Sequence, residues 1–483
     1  MKELIYQLLP RLWGPANTAS DGCSDASSGH FSHVDEATLR YLGSLGITHL
    51  WVTGVLRHAT RSRIGGFPPS SSQFVKGEAG SPYAITDYYD VNPYLADDPA
   101  RRMEEFDAMV ERIHAAGMKV ILDFVPNHVS RDYGRFSHRP DDLGAQDDPT
   151  VHWKPENDFY YYPGEALRLP EGTLPEGEEA YQEFPARASG NAFTPAPGVN
   201  DWYDTVKLNY CDFHTPTWDK MYDIVRFWAG RGVDGFRCDM VELVPPVFFT
   251  WLIQKIKEEF PAIQFIAEVY QKGYYRKYVS EVGFDLLYDK SGLYDRLRAL
   301  VEGNGNAEEL TWNWQELGDL QPHMLNFLEN HDEQRIASDF FAADAAKAFP
   351  ALDISLLFSD APFMLYFGQE VGEKGMNAEG FSGVDGRTSI FDWCKAPLEG
   401  RLWEYVHTGR GLSRSERAIL KHYRERLNLS QSSSGTSTYD LCWLNYTVPG
   451  FDRHRHFAFL RGSHLFPCSF GTSPVPDNLV LPR

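Results

Sequence analysis

No stretch of the chain approaches the ~18 consecutive apolar residues of a membrane span. The N-terminal MKELIYQLLPRLWG offers only a short apolar run, broken by Pro10 and Arg11 and lacking a small-residue cleavage site. It makes a poor signal peptide. Basic residues are scarce: 46 Lys and Arg face 67 Asp and Glu, for a formal net charge of −21. A nucleic-acid partner, which needs a basic face, is therefore not expected. Cysteine is sparse as well, since Cys23, Cys211, Cys238, Cys394, Cys442 and Cys468 stand far apart with no CxxC spacing. Neither zinc nor a disulfide scaffold is indicated. The default expectation is a cytoplasmic protein without a membrane partner; oligomeric state has no signature here.

What is present is a length of 483 residues with 42% hydrophobic content. That exceeds one ordinary domain and leaves room for a barrel of roughly 250 residues or more plus a smaller appendage. Short apolar runs alternate with helix-period segments, the pattern of repeated βα units. Asp98-Pro99 supplies an N-cap with proline at the first helical position. Met103, Phe106, Met109, Val110 and Ile113 then share one helical face, and Gly117 ends the helix before KVILDFV at 119–125. The pattern returns at Thr215-Pro216, with Trp218, Met221, Ile224, Val225 and Trp228 as the apolar stripe before VDGFRCDM at 233–240. Further strand candidates are Leu4 to Leu9, THLWVT (48–53), IQFIAEV (263–269), FDLLYD (284–289), MLNFLE (324–329) and PFMLYF (362–367). Together they make eight, the number that closes an α/β barrel of the (β/α)₈ type.

Two regions break the rhythm. Residues 130–204 are rich in Pro, Gly, acidic residues and aromatics and show no useful helix, which marks a functional excursion or small subdomain after the third strand. QSSSGTS at 431–437 reads as a flexible linker. Beyond it LCWLNY, HFAFLRG and NLVLP read as strands of a small all-β domain. The expected organisation is a barrel over 1–129 and 205–430, an inserted subdomain over 130–204, and a short β domain over 431–483.

Catalytic groups of a parallel barrel gather where strands end. Four ends here are unusually polar: DFVPNH with Asp123, Asn127 and His128; GFRCD with Arg237 and Asp239; AEV with Glu268; and ENHD with His331 and Asp332. Each alone has a bland explanation. Asp123 could be a satisfied interior group, His128 a core histidine, Glu268 a solvated strand end, and NHD a helix cap. Their common position at one end of their strands, in order, is what random placement does not produce.

DFVPNH, GFRCD, AEV and ENHD resemble the four conserved regions of the α-amylase family, glycoside hydrolase family 13. The resemblance covers essentially the whole chain. On matching positions it implies Asp239 as nucleophile, Glu268 as general acid/base and Asp332 as transition-state stabiliser. It implies substrate contacts for Asp123, His128, Arg237 and His331, and a stacking role under the cleaved sugar for Tyr83 in SPYAITDYYDV. Asp385-Gly386-Arg387 and Gly368-Gln369-Glu370 resemble family elements near the donor side, with Asp385 and Arg387 as weak substrate contacts. The roles make physical sense. Arg237, two positions before Asp239, shares its face and favours an ionised nucleophile; Asp239 and Asp332 would raise Glu268 so that it keeps its proton.

Departures matter too. Where many α-amylases carry Lys-His after the nucleophile, this chain has Glu242 and Leu243. Cys238 should point away from the site into the core. Asn127 resembles a calcium ligand of the family, but Lys207, in VKLNY, stands where the family often places an aspartate. A lysine ammonium repels a cation and can hold the same oxygens. No calcium is therefore expected beside Asn127 and Lys207, while the Asp-rich insertion stays open to one. Phe159 to Tyr162, Trp202 and Tyr203 read equally well as sugar-stacking rings or as a small local core of the insertion.

The implied activity is retaining hydrolysis of α-1,4-glucosidic bonds in starch or maltooligosaccharides through a covalent glycosyl-enzyme intermediate. A transglycosylase or isomerase of the same family, acting on maltose or maltodextrins, shares that intermediate and differs in acceptor. A non-catalytic binding scaffold predicts lost carboxylates, and all three are present.

Overall fold

A computed structural model describes residues 1–15, 29–135, 139–376, 383–393 and 397–482. Cys23 and Cys394 lie outside the described residues; the other four cysteines are buried free thiols. Eight parallel strands close a barrel: β1 Leu4–Leu8, β2 His49–Val52, β3 Lys119–Phe124, β4 Gly235–Cys238, β5 Gln264–Ala267, β6 Leu286–Tyr288, β7 Met324–Phe327 and β8 Phe363–Tyr366. All eight fall on the apolar runs read from the sequence. Each pairs with its successor, and β8 returns to β1 with Ile5 opposite Met364.

Strand alternation separates two cores. Ile5, Trp51, Ile121, Ile266, Leu325 and Met364 fill the barrel interior. Leu4, Tyr6 and Leu8 point the other way, into the larger core under the helices. The helix Arg102–Ala115 buries Phe106, Met109, Val110 and Ile113 on that outer core. Asp98 caps the preceding turn by accepting the N–H of Ala100, and Gly117 takes a φ of +76° that a side chain would resist. The helix Pro216–Ala229 buries Trp218, Met221, Ile224, Val225 and Trp228, but the Thr215 side chain makes no capping bond.

Two excursions rise from the C-terminal end of the barrel. After β3, His128–Ser130 pairs antiparallel with Thr205–Lys207, a stem that gathers the residues between them. Within that excursion only Tyr161–Tyr162 and Ala186–Arg187 pair as strands among the described residues, and no helix forms. The other excursion follows β2, where Leu56–His58 pairs with Ile85–Val91. A small separate core of Ala59, Phe74, Val75, Ala84 and Tyr203 joins the two excursions.

The C-terminal expectations need correction. A three-stranded sheet exists, β9 Thr438–Asp440, β10 His456–Arg461 and β11 His464–Ser469. HFAFLRG supplies β10, but LCWLNY contains a short helix, Cys442–Asn445, and NLVLP forms no strand. Instead Val480 is fastened by main-chain bonds in both directions to the Asn445 side chain, at 2.7 and 3.1 Å. QSSSGTS is not a free linker. The helix Arg414–Ser432 runs into it, and Gln431 donates to the carbonyls of Lys2 and Gly46, both at 2.9 Å. Its Ser-rich composition concealed a tertiary anchor at the base of β1. Among the described residues no helix is long and apolar enough to cross a membrane.

Trp228 is 1% exposed, and its indole N–H donates to the Tyr88 carbonyl at 2.7 Å. Trp228→Ala should destabilise the protein by about 3–5 kcal/mol, measured as a shift in chemical denaturation midpoint.

Candidate active site

The register of β4 sets Arg237 beside Asp123 on β3 and Ile266 on β5, so the guanidinium points into the barrel mouth. It is 1% exposed and surrounded by the rings of Trp51, Tyr83 and Tyr288. Nη1 lies 2.6 Å from Asp239 Oδ1 and Nη2 lies 2.9 Å from Glu268 Oε1, with Asp123 further off at 3.8 Å. One buried cation thus holds two acids from neighbouring strand ends.

Backbone geometry completes the pairing. Met240, directly after Asp239, adopts φ 46° and ψ 45°, a left-handed conformation that costs a side-chain residue of order 1–3 kcal/mol. In that position its N–H donates to Glu268 Oε2 at 2.7 Å, while the Tyr270 hydroxyl donates to Oε1 at 2.7 Å. Past β7, the Asn330 side chain accepts the N–H groups of Asp332 and Glu333 at 2.8 and 2.9 Å. This local turn sets Asp332 at the mouth. Next to it His331 stacks on Tyr83, with Nε2 2.5 Å from the Tyr83 hydroxyl and 3.3 Å from Asp332 Oδ2.

Tyr83, His128, Asp239, Glu268, His331 and Asp332 line one cavity of about 230 Å³. Asp123 and Arg237 lie beneath it; Asp123 accepts from the Trp51 indole at 3.2 Å and the Tyr83 hydroxyl at 3.4 Å. Asp385 and Arg387 do not line the cavity. They pair with each other at 2.8 Å, and Arg387 donates to the main-chain carbonyl of Asp332 at 2.7 Å. Among the described residues, Arg387 contacts the site through the backbone of Asp332. Glu370 is buried behind the strands, accepting from the hydroxyls of Tyr6 at 2.7 Å and Tyr41 at 3.0 Å. The aromatics divide as well: Phe159, Tyr161 and Tyr203 are core, whereas Trp202 lines the cavity with its ring 5.1 Å from that of His128. Cys238 is wholly buried in the outer core.

Sequence reasoning missed Lys76, Asp204, Met240, Tyr270 and Phe391 in the cavity wall, and Gln7 beneath it. Gln7 and Tyr270 had a signal. Gln7 is a polar residue in an apolar strand, and its amide nitrogen lies 2.8 Å from His331 Nδ1. Tyr270 follows Glu268 by two. Nothing local marks Lys76 or Asp204.

The electrostatics differ from the simple expectation that Arg237 keeps Asp239 acidic. Burial raises the Asp239 carboxyl, and the guanidinium offsets only part of that rise. Glu268 is raised first by burial, against the pull of Arg237, and then by the charge of Asp239. Asp332 is raised by burial and then by Glu268, and Asp123 by burial to about 7. His128 and His331 are both lowered, primarily by burial, so both are neutral donors and acceptors near pH 7. The result is a set of carboxyl groups that share too little positive charge to ionise together.

Glu242 and Leu243 take up different work from a Lys-His pair. Glu242 accepts the N–H groups of Tyr270 and Gln271 at 2.9 and 3.2 Å, tying the β4 loop to the β5 loop. The Leu243 carbonyl accepts from Lys207 Nζ at 3.0 Å, and the same ammonium donates to Asn127 Oδ1. An oxygen set with an ammonium at its centre does not fit a calcium ion. Among the described residues no group of three or more His, Cys, Asp or Glu side chains is arranged to hold a metal.

Carboxyl groups from separate strand ends, two of them paired across one cation, define the class of site used to break glycosidic bonds. The model of the α-amylase catalytic domain matches residues 17–278, more than half of the chain, and the protein belongs to the α-amylase family. It is similar to α-amylase MalA of Haloarcula japonica, 26% identical over 341 residues covering 70% of this chain and 41% of that protein. Alpha-amylase 3 of Dictyoglomus thermophilum is 25% identical over 358 residues, covering 70% and 59%. The chain thus spans about half the length of these curated relatives. Among solved structures, the cyclic α-maltosyl-(1→6)-maltose hydrolase of Arthrobacter globiformis superposes with a TM-score of 0.64 at 17% identity, covering 95% of this chain and 88% of that one. That likeness concerns the fold.

Lys207→Ala would leave Asn127 Oδ1 and Leu243 O without their shared donor and should cost about 1–3 kcal/mol of stability. A chelator added to the native protein should leave its Tm unchanged; a fall on chelation would contradict the fit just described.

Proposed function

We propose that the protein is a retaining glycoside hydrolase that cleaves α-1,4-glucosidic bonds in starch or maltooligosaccharides. The observation that carries this reading is the pairing of Asp239 and Glu268 on the single guanidinium of Arg237 beside one cavity. Asp239 is the nucleophile. Its carboxylate attacks the anomeric carbon while Glu268 gives its proton to the departing glycosidic oxygen, and the C–O bond to the leaving sugar breaks. In the second half, Glu268 takes a proton from water, the water oxygen bonds the anomeric carbon, and Asp239 leaves with its electron pair. This double displacement needs carboxyl groups ~5–5.5 Å apart.

Asp332 and His331, held against Tyr83, would accept and donate hydrogen bonds to the sugar hydroxyls as positive charge builds at the ring. The Tyr83 face supplies an apolar floor. α-Linked glucan is the substrate class because the relatives bear the names of amylases, and a cyclomaltodextrin glucanotransferase of a Bacillus is among them. That last name keeps glycosyl transfer as the second reading, and the Glu242 tether on the acceptor side is where the two would diverge. Timed products from maltotriose and maltoheptaose separate them, because transfer yields chains longer than the substrate.

Asp239→Asn should lower kcat on maltoheptaose by at least about 10⁴-fold with the fold retained by circular dichroism. Near-normal turnover would remove Asp239 from the reaction. A second expectation concerns pH. The Tyr270 hydroxyl bonds the Glu268 carboxylate and so lowers its pKa. Tyr270→Phe removes that stabilisation of the charged form, raises Glu268 further, and should move the alkaline limb of kcat/KM to higher pH. A limb that stays fixed, or moves down, would show that the hydroxyl does not act on the proton donor.

A further inference from the structure

The cavity has two unlike sides. Met240 and Tyr270 come from the loops after β4 and β5, the side that carries the proton donor Glu268. Lys76 comes from the excursion after β2, Phe391 from the loop after β8, and Asp204 from the end of the excursion after β3. In a closed ring of eight strands, the β8–β1–β2 arc lies across from β5. A leaving group that takes its proton from Glu268 departs past β5. The sugar attached to Asp239, and whatever precedes it in the chain, faces the opposite arc.

Among the described residues, the loops after β2 and β8 on that arc are stitched together. The Phe391 carbonyl accepts the N–H groups of Ala79 and Gly80 at 2.9 and 3.0 Å, and the Asp392 side chain accepts that of Glu78 at 3.1 Å. The approach is so close that a Cβ on Gly77, at φ +69°, would stand 2.2 Å from the Phe391 carbonyl oxygen. One residue earlier, Lys76 Nζ donates to the Asp201 carbonyl at 3.1 Å and pairs with Asp204 at 3.1 Å, its ammonium 4.7 Å from the centre of the Tyr203 ring. The two side chains of the ion pair are only 11% and 6% exposed. Beneath them, Phe74, Val75 and Tyr203 belong to the small core that joins the two excursions. Among the described residues, three loops from three parts of the barrel thus form a wall tied by hydrogen bonds and an ion pair, with its own apolar support. The cavity beside this wall, about 230 Å³, falls below the ~300–1,000 Å³ of sites that take drug-sized ligands.

We infer that this wall blocks the chain on the non-reducing side of the cleaved bond, so that the enzyme takes glucan ends and releases a mono- or disaccharide rather than cutting internally. The inference rests on the roles of Asp239 and Glu268 proposed above, and deepens them by naming which part of the glucan enters.

The test compares maltoheptaose with the same chain whose terminal 4- and 6-hydroxyl groups, at the non-reducing end, are bridged by an ethylidene group. The wild-type protein should release a mono- or disaccharide with its complementary shorter chain from the free substrate, and cleave the blocked one at least about 100-fold more slowly. Cleavage of both at similar rates would overturn the closed wall and leave the carboxylate roles standing. Cleavage of neither would overturn the carboxylate roles themselves. Lys76→Ala, which removes the ion pair with Asp204, should narrow the ratio between the two substrates by about tenfold. A folded Lys76→Ala protein with an unchanged ratio would overturn the part assigned to that pair; if this variant does not fold, the wild-type comparison decides alone.

Discussion

A guanidinium with 1% exposure is costly to bury unless its charge is met, and Arg237 is met by two carboxylates at once. Asp239 and Glu268 are in turn expensive to bury without it. The three groups are therefore mutually required, and the barrel is built so that they can meet. β4 places Arg237 between β3 and β5, and the rings of Trp51, Tyr83 and Tyr288 exclude water around its head. The strained Met240 backbone then supplies one more N–H to Glu268. Each piece makes the next affordable.

One cation cannot neutralise all the acids in reach, an imbalance that suits the proposed reaction. Burial raises Asp123, Asp239, Glu268 and Asp332 together, while Arg237 pulls each of them back. Protons in such a set are shared, so one carboxyl can be charged while its neighbour is not. A double displacement asks for that division between an ionised nucleophile and a protonated donor. The pairing of Arg237 with Glu268 as well as Asp239 means the proton on Glu268 depends on burial more than on neighbouring anions.

Elsewhere, cations serve as fasteners. Lys207 joins Asn127 of the β3 loop to Leu243 of the β4 loop, and Lys76 joins the β2 excursion to the end of the β3 excursion. Glu242 performs the converse task with backbone N–H groups of the β5 loop. The loops above the barrel are thereby tied to one another rather than left to pack independently. A rim of this kind holds the shape of its cavity.

The chain itself determined the barrel and the members of its acid set. Apolar runs of strand length, separated by helix-period segments, leave few alternatives to a parallel barrel, and all eight strands fell where those runs lie. Polar residues at the strand ends were legible through their shared position, in order, at one end of their strands, since each alone had a bland explanation. Composition misled where contacts were distant: Gln431 sits in a Ser-rich stretch yet anchors the base of β1, and Asn445 fastens a tail that read as a strand. The tertiary structure alone decided that Arg387 holds the Asp332 main chain, and that Lys76, Asp204 and Phe391 share one wall. Periodicity is a local property that a sequence carries in full. The meeting of loops more than a hundred residues apart depends on where a closed barrel aims them, and no local pattern records that.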